Sequence, residues 1–175
     1  MNCQNKNLTL IGASAIDGTG NGLNNSLTGN GAANTLDGGT GADTLAGGMG
    51  NDTYRLGRGY GADTVQENDA TSGNTDVAQF LAGIATDQIW FQHTGNDLVA
   101  SIIGTADQFT LQNWYTGSQY HVEQFKTADN HTLLDSQVQN LVDAMSAFSP
   151  PAMGQTTLPQ NYADTLNPVI ASNWQ

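Results

Sequence analysis

The feature that most constrains this chain is a nine-residue period in its first third. Leu27, Leu36, Leu45 and Tyr54 lie nine residues apart, and each follows a serine or a threonine. Between the later members stand two near-copies of one phrase, GGTGAD and GGMGND. Because side chains alternate between the two faces of a strand, each unit predicts a three-residue strand with one inward side chain, followed by a six-residue turn.

Two such units form one coil of a flattened helix, which stacks Leu27 on Leu45 and Leu36 on Tyr54. We expect glycine in the turns because it adopts a positive φ without steric penalty. A meander of hairpins is the competing interpretation, but its strands are usually longer and its turns need no glycine-rich phrase that ends on aspartate. The period therefore predicts an all-β fold that begins as a parallel β-roll.

Stacked coils also bring aspartates together in a chain that is already acidic. The 16 acidic and 4 basic residues give a net charge of −12, which excludes nucleic acid and anionic membranes as partners, since both require clustered Lys and Arg. No apolar run reaches the roughly 18 residues of a membrane span. Ca²⁺ suits such turns, because it accepts about six to eight oxygen ligands, including carbonyls, at flexible geometry. Mg²⁺ demands stricter geometry, and Zn²⁺ favours Cys or His, which the turns lack.

The repeated phrases resemble those of a known family. GGTGADTLA (38–46) and GGMGNDTYR (47–55) match the GGxGxDxUx nonapeptide of RTX (repeats-in-toxin) proteins, which form parallel β structures with bound calcium. Degenerate copies flank them: GNGLNN (20–25), GNGAAN (29–34) and RGYGAD (58–63). Residues 77–132 resemble the β-rich segment that follows the repeats in large RTX exoproteins.

The resemblance implies one ion between each pair of turns 18 residues apart. The earlier turn gives its second and fourth carbonyls and its sixth side chain, and the later turn gives its first and third carbonyls and its sixth side chain. The first implied site uses the carbonyls of Gly39, Gly41, Arg58 and Tyr60 with the carboxylates of Asp43 and Asp63. The second uses the carbonyls of Asn30, Ala32, Gly47 and Met49 with Asn34 and Asp52. The third uses Asn25, Gly38, Thr40 and Asp43, and the fourth uses Gly48, Gly50, Asp52 and Asp76.

The second implied site has a single carboxylate, so we expect weaker affinity there. The alternative for all four is that the turns are ordinary Gly/Asn-rich loops whose aspartates are solvated.

The second half of the chain predicts an antiparallel β cap and one helix. Residues 89–91, 98–103 and 109–114 are rich in β-branched and aromatic residues, as strands are. We expect the cap to have a core of Trp90, Phe91, Trp114, Tyr115 and Phe125; an aromatic platform for carbohydrate is the alternative. Residues 135–148 predict a helix with Asp135 as its N-cap, whereas residues 152–175 show little periodicity.

These features predict three parts: an RTX parallel β-roll (1–76), a β-rich capping region (77–132), and a helix with a C-terminal tail (133–175). By resemblance the tail contains a type I secretion signal, and a tail docked on the surface is the alternative. Because the repeats begin almost at Met1, we expect the chain to be the C-terminal region of a larger exoprotein. The single cysteine, Cys3, cannot form an internal disulfide.

We expect no enzyme activity and no catalytic residues. The sequence has no HExxH, GxSxG or GxxxxGK[ST] motif, and His93, His121 and His131 are isolated. The resemblance implies a calcium-binding module that folds on binding extracellular Ca²⁺ and supports type I secretion of a larger protein. Its expected partners are calcium ions, the type I secretion machinery and upstream domains, and its expected location is extracellular or on the bacterial surface. The alternatives are a calcium-rigidified adhesion or matrix-binding module, and the non-catalytic end of a secreted lipase, protease or toxin.

Overall fold

The computed structural model describes residues 6–175, and Cys3 lies outside the described residues. Within them the chain forms two sheets and two α-helices. In chain order the strands are β1 (Asn7–Thr9), β2 (Gly18–Thr19), β3 (Ser26–Thr28), β4 (Thr35–Asp37), β5 (Thr44–Ala46), β6 (Thr53–Leu56), β7 (Ala62–Val65), β8 (Val77–Phe80), β9 (Ile89–Thr94), β10 (Asp97–Ile102), β11 (Gln108–Leu111), β12 (Gln124–Lys126) and β13 (Thr132–Leu134). The helices are α1 (Asp135–Met145) and α2 (Gln160–Asn173).

Odd- and even-numbered strands of the first half lie in different sheets. The first sheet has the order β1-β3-β5-β7-β11-β10-β9, and the second has the order β13-β12-β8-β6-β4-β2. Every neighbouring pair from β1 to β8 is parallel. The chain therefore crosses from one sheet to the other at every turn, which confirms the parallel β-roll and excludes the hairpin meander.

The register of the roll follows the nine-residue period. Leu27 pairs with Leu45, and Leu36 pairs with Tyr54. All four side chains are buried in one continuous core. The serine or threonine before each of them is only partly buried, as strand alternation requires.

The cap continues both sheets of the roll. Strands β9, β10 and β11 form the predicted antiparallel meander, but β11 also pairs with β7 in parallel. Likewise β12 pairs in parallel with β8 and antiparallel with β13. Strand β8, which follows residue 76, pairs with β6, so the second sheet runs past this position without a break.

The predicted aromatic core of the cap is confirmed. Trp90, Phe91, Trp114 and Phe125 are buried, and the rings of Phe91 and Phe125 meet edge to face with their centroids 5.2 Å apart. Tyr115 is partly buried against this cluster. A carbohydrate platform needs exposed rings, so the burial of these side chains argues against that alternative.

The helical region differs from the prediction in three respects. Helix α1 ends at Met145, and its N-cap is Leu134, with Asp135 as the first helical residue. A second helix, α2, occupies part of the segment that lacked periodicity, and it contains Pro168.

Helix α2 packs against α1 and buries Leu166 and Ile170, and Trp174, directly after the helix, is buried as well. The backbone of Gln175 then pairs with that of Thr132 through two hydrogen bonds of 2.7 and 2.9 Å. The end of the chain thereby covers the outer edge of β13.

Candidate metal centre

The six turns between β2 and β8 fall into two stacks, one on each side of the roll. The first-side turns connect the second sheet to the first, and the second-side turns connect the first sheet to the second. They are 20–25, 38–43 and 57–61 on the first side, and 29–34, 47–52 and 66–76 on the second side. Each pair of turns that the sequence assigned to one ion is therefore adjacent in the structure.

Within each stack, side chains at the ends of the turns, and Asp63 at the start of β7, form a ladder. In the first ladder the backbone N–H of Asn25 donates to Asp43 Oδ1 at 2.7 Å, and that of Asp43 donates to Asp63 Oδ1 at 2.9 Å. In the second ladder the backbone N–H of Asn34 donates to Asp52 Oδ1 at 2.8 Å, and that of Asp52 donates to Asp76 Oδ1 at 2.7 Å. One carboxylate oxygen of each aspartate thus binds the backbone of the preceding coil.

The second oxygen of three of these carboxylates has no protein partner. The Oδ2 atoms of Asp43, Asp52 and Asp63 are buried and accept no hydrogen bond. A buried oxygen of this kind is costly unless a donor or a cation satisfies it. A hard cation such as Ca²⁺, which takes oxygen ligands, satisfies an oxygen of this kind.

Several carbonyl oxygens implied as ligands lie close to the backbone of the neighbouring turn. A Cβ built on Gly48 would lie 2.8 Å from the carbonyl oxygen of Asn30, and one on Gly50 would lie 3.0 Å from that of Ala32. In the same way, a Cβ on Gly29 would lie 2.1 Å from the carbonyl oxygen of Gly47. In the second implied site each turn therefore places carbonyl oxygens close to the other turn.

In the first and third implied sites, too, a ligand carbonyl oxygen lies close to the neighbouring turn. A Cβ on Gly61 would lie 2.0 Å from the Gly41 carbonyl oxygen, and one on Gly20 would lie 2.3 Å from that of Gly38. The carbonyl of Tyr60 accepts a hydrogen bond from the Gly41 N–H at 2.7 Å, which leaves one of its lone pairs. The remaining implied ligand carbonyls lie in the same facing turns: Gly39, Thr40, Gly48, Met49, Gly50 and Arg58.

The glycines of the two best-matched turns, 38–43 and 47–52, serve two different needs. The second and fourth positions have a positive φ, at Gly39 (81°) and Gly41 (146°) for example, as the sequence predicted, whereas the glycines of turns 20–25 and 29–34 do not. The first position, Gly38, is not in that region. A Cβ there would lie 2.2 Å from Asp43 Oδ2, so this glycine makes room for the carboxylate of its own turn.

The electrostatics of the ladders favour a cation. Burial, the largest cause, raises the pKa of Asp52 to about 6, and raises that of Asp63 and Asp76 to about 7. Neighbouring carboxylates raise the pKa values further, while the ladder hydrogen bonds lower them. Near neutral pH these groups must hold protons, repel one another or bind a cation.

Two acidic side chains of the cap contact the turns, and sequence reasoning missed both. The N–H of Asp76 donates to Glu123 Oε2 at 2.6 Å, so Glu123 continues the second ladder. Asp107 accepts hydrogen bonds from the N–H groups of Gly59 and Gly61 at 2.9 and 2.8 Å. Their sequence positions could have indicated this role, because Glu123 and Asp107 each directly precede a strand, as Asp43, Asp52 and Asp76 do.

Sequence reasoning also missed Glu67, in the long turn before β8. Glu67 is 3% exposed, and burial raises its pKa to about 8. One carboxylate oxygen from each of Asp52, Glu67 and Asp76 lies within 4.8 Å of the others. The structure thus brings together the two carboxylates of the fourth implied site, although the turn before Asp76 is longer than the others.

The contacts of His121 fix the orientation of its ring. His121 stacks on Trp114 at 3.9 Å, and its two ring nitrogens contact Asp135 Oδ2 at 3.2 Å and the Trp114 carbonyl at 3.0 Å. With both nitrogens engaged, His121 has a structural role in the cap.

Comparisons with known proteins agree with the geometry of the turns. The family model of the RTX calcium-binding nonapeptide repeat, in four copies, matches residues 19–54. The chain carries RTX calcium-binding repeats. A second family model, the haemolysin-type calcium binding protein related domain, matches residues 97–137, which cover much of the cap and the start of α1. The RTX repeats bind Ca²⁺, and the RTX β-roll is typically non-catalytic.

One curated relative is the iron-regulated protein FrpA of Neisseria meningitidis serogroup C. It is 37% identical to this chain over 93 residues. The match covers 51% of this chain and 8% of the relative, so the matched part of this chain corresponds to a small part of FrpA. RTX-repeat proteins are typically secreted. Neither helix in residues 6–175 is long and apolar enough to cross a membrane.

Proposed function

We propose that this RTX chain is a folding module of a larger secreted bacterial protein, and that extracellular Ca²⁺ drives its folding. The observation that carries the proposal is the set of buried, unpartnered carboxylate oxygens of Asp43, Asp52 and Asp63. Each lies between stacked turns that also present carbonyl oxygens. Without a cation, the buried carboxylates repel one another and these three oxygens lack a partner. The hydrophobic core of the roll must then offset both costs.

Calcium concentration then acts as the folding signal. In the cytosol, where free calcium is scarce, the repeats stay unfolded, and an unfolded chain can pass a narrow exporter. Outside the cell the ions bind only the folded roll, so their binding free energy becomes folding free energy. Sites with Kd values of about 10⁻⁴–10⁻³ M, the range of extracellular calcium modules, are sufficient.

We assign the ions to the four ligand sets given by the RTX pattern. The set with Asp43 and Asp63 has two carboxylates, each with a free Oδ2, and is the strongest of the three sets on turns of regular length. The set with Asn34 and Asp52 has one carboxylate and is weaker. The set with Asn25 shares Asp43 with the first set.

The three parts of the chain have different roles in this proposal. Residues 1–76 bind calcium, residues 77–132 close the roll, and residues 133–175 contain the signal for the type I secretion machinery. The continuous pairing of β7 with β11 and of β8 with β12 supports the closing role, because it protects strand edges that would otherwise be open.

A calcium titration followed by circular dichroism tests the proposal, with magnesium as the matched control. We expect β signal to rise with Ca²⁺ at about 0.1–1 mM and not with Mg²⁺ at the same concentrations. A chain that is fully β in excess chelator would contradict calcium-driven folding. The secretion role is tested separately by export of a reporter fused before the full chain, from cells that contain a type I exporter, where retention in the cytosol would contradict it.

A further inference from the structure

Glu67 occupies an inward-facing position at the start of the long turn 66–76. It follows the buried Val65 by two residues, so both side chains point into the roll. The hydroxyl of Tyr54 donates a hydrogen bond to Glu67 Oε2, and the N–H of Asn68 donates to Oε1 at 2.9 Å. The same Tyr54 oxygen accepts a hydrogen bond from the N–H of Gly47 at 2.9 Å. Glu67 is therefore held in one orientation by the neighbouring coil.

Three carboxylates converge at this point. One oxygen from each of Asp52, Glu67 and Asp76 lies within 4.8 Å of the others, and all three residues are buried. Arg55 lies with Asp37, at 3.7 Å, and the Arg58 guanidinium lies with Gln88, so neither arginine neutralises the cluster.

A second observation points to a ligand at the same place. Asp52 is fully buried, and its Oδ2 accepts no hydrogen bond. A Cβ built on Gly47 would lie 2.2 Å from Asp52 Oδ2 and 2.6 Å from the Tyr54 hydroxyl oxygen. The free oxygen of Asp52 therefore lies near the phenol that holds Glu67.

We propose that Asp52, Glu67 and Asp76 together bind one divalent cation of the Ca²⁺ type, with Glu67 as a ligand that the nonapeptide pattern does not supply. The inference rests on the proposed function, because it deepens the fourth ligand set. Tyr54 is a positioning residue that orients Glu67. Since calcium affinity rises with ligand charge and site rigidity, this three-carboxylate site fills at lower Ca²⁺ than the regular turn sites. Its ion ties the long turn to the preceding coil.

Equilibrium dialysis of the full chain against ⁴⁵Ca²⁺, with ions per chain counted, tests the proposal. We expect Glu67→Gln, which keeps the size and one acceptor, to lose one bound ion, and to lose it from the tightest class. The matched control is Asp69→Asn, which removes one negative charge from the same turn; its Oδ2 accepts from the Gly50 N–H at 3.2 Å. The control should keep every ion. Equal loss in both variants, or no loss in Glu67→Gln, would overturn the proposal.

Two further measurements test the proposal even if the Glu67→Gln chain fails to fold. Tyr54→Phe keeps all three carboxylates and removes only the hydroxyl, so we expect the same number of ions, with the tightest site weakened by about tenfold or more, as for other groups that orient metal ligands. Crystals of the unaltered chain grown with Tb³⁺ should show an anomalous peak among the three carboxylates, and peaks confined to the regular turns would refute the assignment. A chain that binds no calcium at all would instead refute the proposed function.

Discussion

The first glycine of a repeat offers a direct test of how the turns are built. In Gly38→Ala the new Cβ would lie 2.2, 2.7 and 2.8 Å from Asp43 Oδ2, Cγ and Cβ. Rotation of the Asp43 side chain cannot relieve the contact with its Cβ, so the turn must shift. Gly38 is not among the glycines of positive φ, and hence alanine meets no backbone strain there. The change in stability of Gly38→Ala therefore measures only the space that the Asp43 carboxylate requires.

The expected cost follows from the hydrogen bond that the shift removes. Asp43 Oδ1 accepts the buried N–H of Asn25 at 2.7 Å, and a buried amide left without a partner costs about 1–3 kcal/mol. For a chain of this size each kcal/mol lowers Tm by about 2–4 °C. Because Asp43 is shared by two ligand sets, the midpoint of calcium-dependent folding should also move to higher Ca²⁺.

Thermal unfolding in saturating Ca²⁺ and calcium titrations by circular dichroism measure both effects. The matched control is Gly31→Ala, also in a repeat turn and not at positive φ, where the nearest atom to a new Cβ is Met49 Cε at 3.7 Å. The control should be neutral, or more stable by about 0.4–1 kcal/mol. If Gly38→Ala and Gly31→Ala have the same Tm, the first glycine of the repeat is not required to make room for the carboxylate.

Three further predictions concern the ions, the pH dependence and the tail. Asp43→Asn should weaken or abolish two calcium sites in a binding titration, whereas Asp164→Asn, on the exposed face of α2, should leave all sites unchanged. The pKa values of Asp63 and Asp76 are raised from 3.8 to about 7, so between these values the folded state holds protons that the unfolded state has released. The calcium-free chain should therefore be most folded near pH 4 and lose β signal in circular dichroism as the pH rises to about 7, and a gain of β signal over this window would contradict the assignment. Trp174→Ala should cost about 3–5 kcal/mol, since Trp174 is 5% exposed, and limited proteolysis should then cut within α2; an uncut helix would show that its docking does not depend on this side chain.

The repeat could be predicted from the sequence because its spacing, its strand alternation and its turn residues all indicate the same structure. The nine-residue spacing sets the coil, strand alternation sets the inward residue, and the terminal aspartate sets the ladder. Leu27 with Leu45 and Leu36 with Tyr54 pair as expected. Even the pair Asp52 and Asp76 aligns, because the extra residues bulge within the turn 66–76.

The remaining features depend on tertiary contacts that no local pattern contains. Glu67 is recognisable as a site residue only once Tyr54 and Asp76 lie beside it. The parallel pairing of β11 and β12 with the roll joins residues about fifty positions apart. Helix α2 contains Pro168 and is stabilised by packing against α1, so its own sequence gave little indication of it.

The two ladders have a direction. In every rung the amide belongs to the earlier coil and the carboxylate belongs to the later one. Each coil thus provides hydrogen-bond acceptors to the coil before it and needs acceptors from the coil after it. For the last coils of the roll, Glu123 and Asp107 of the cap provide these acceptors. Because each coil depends on acceptors from the coil after it, we expect order to spread from the cap toward the N-terminus, and damage to one rung should disturb the coils before it more than those after it.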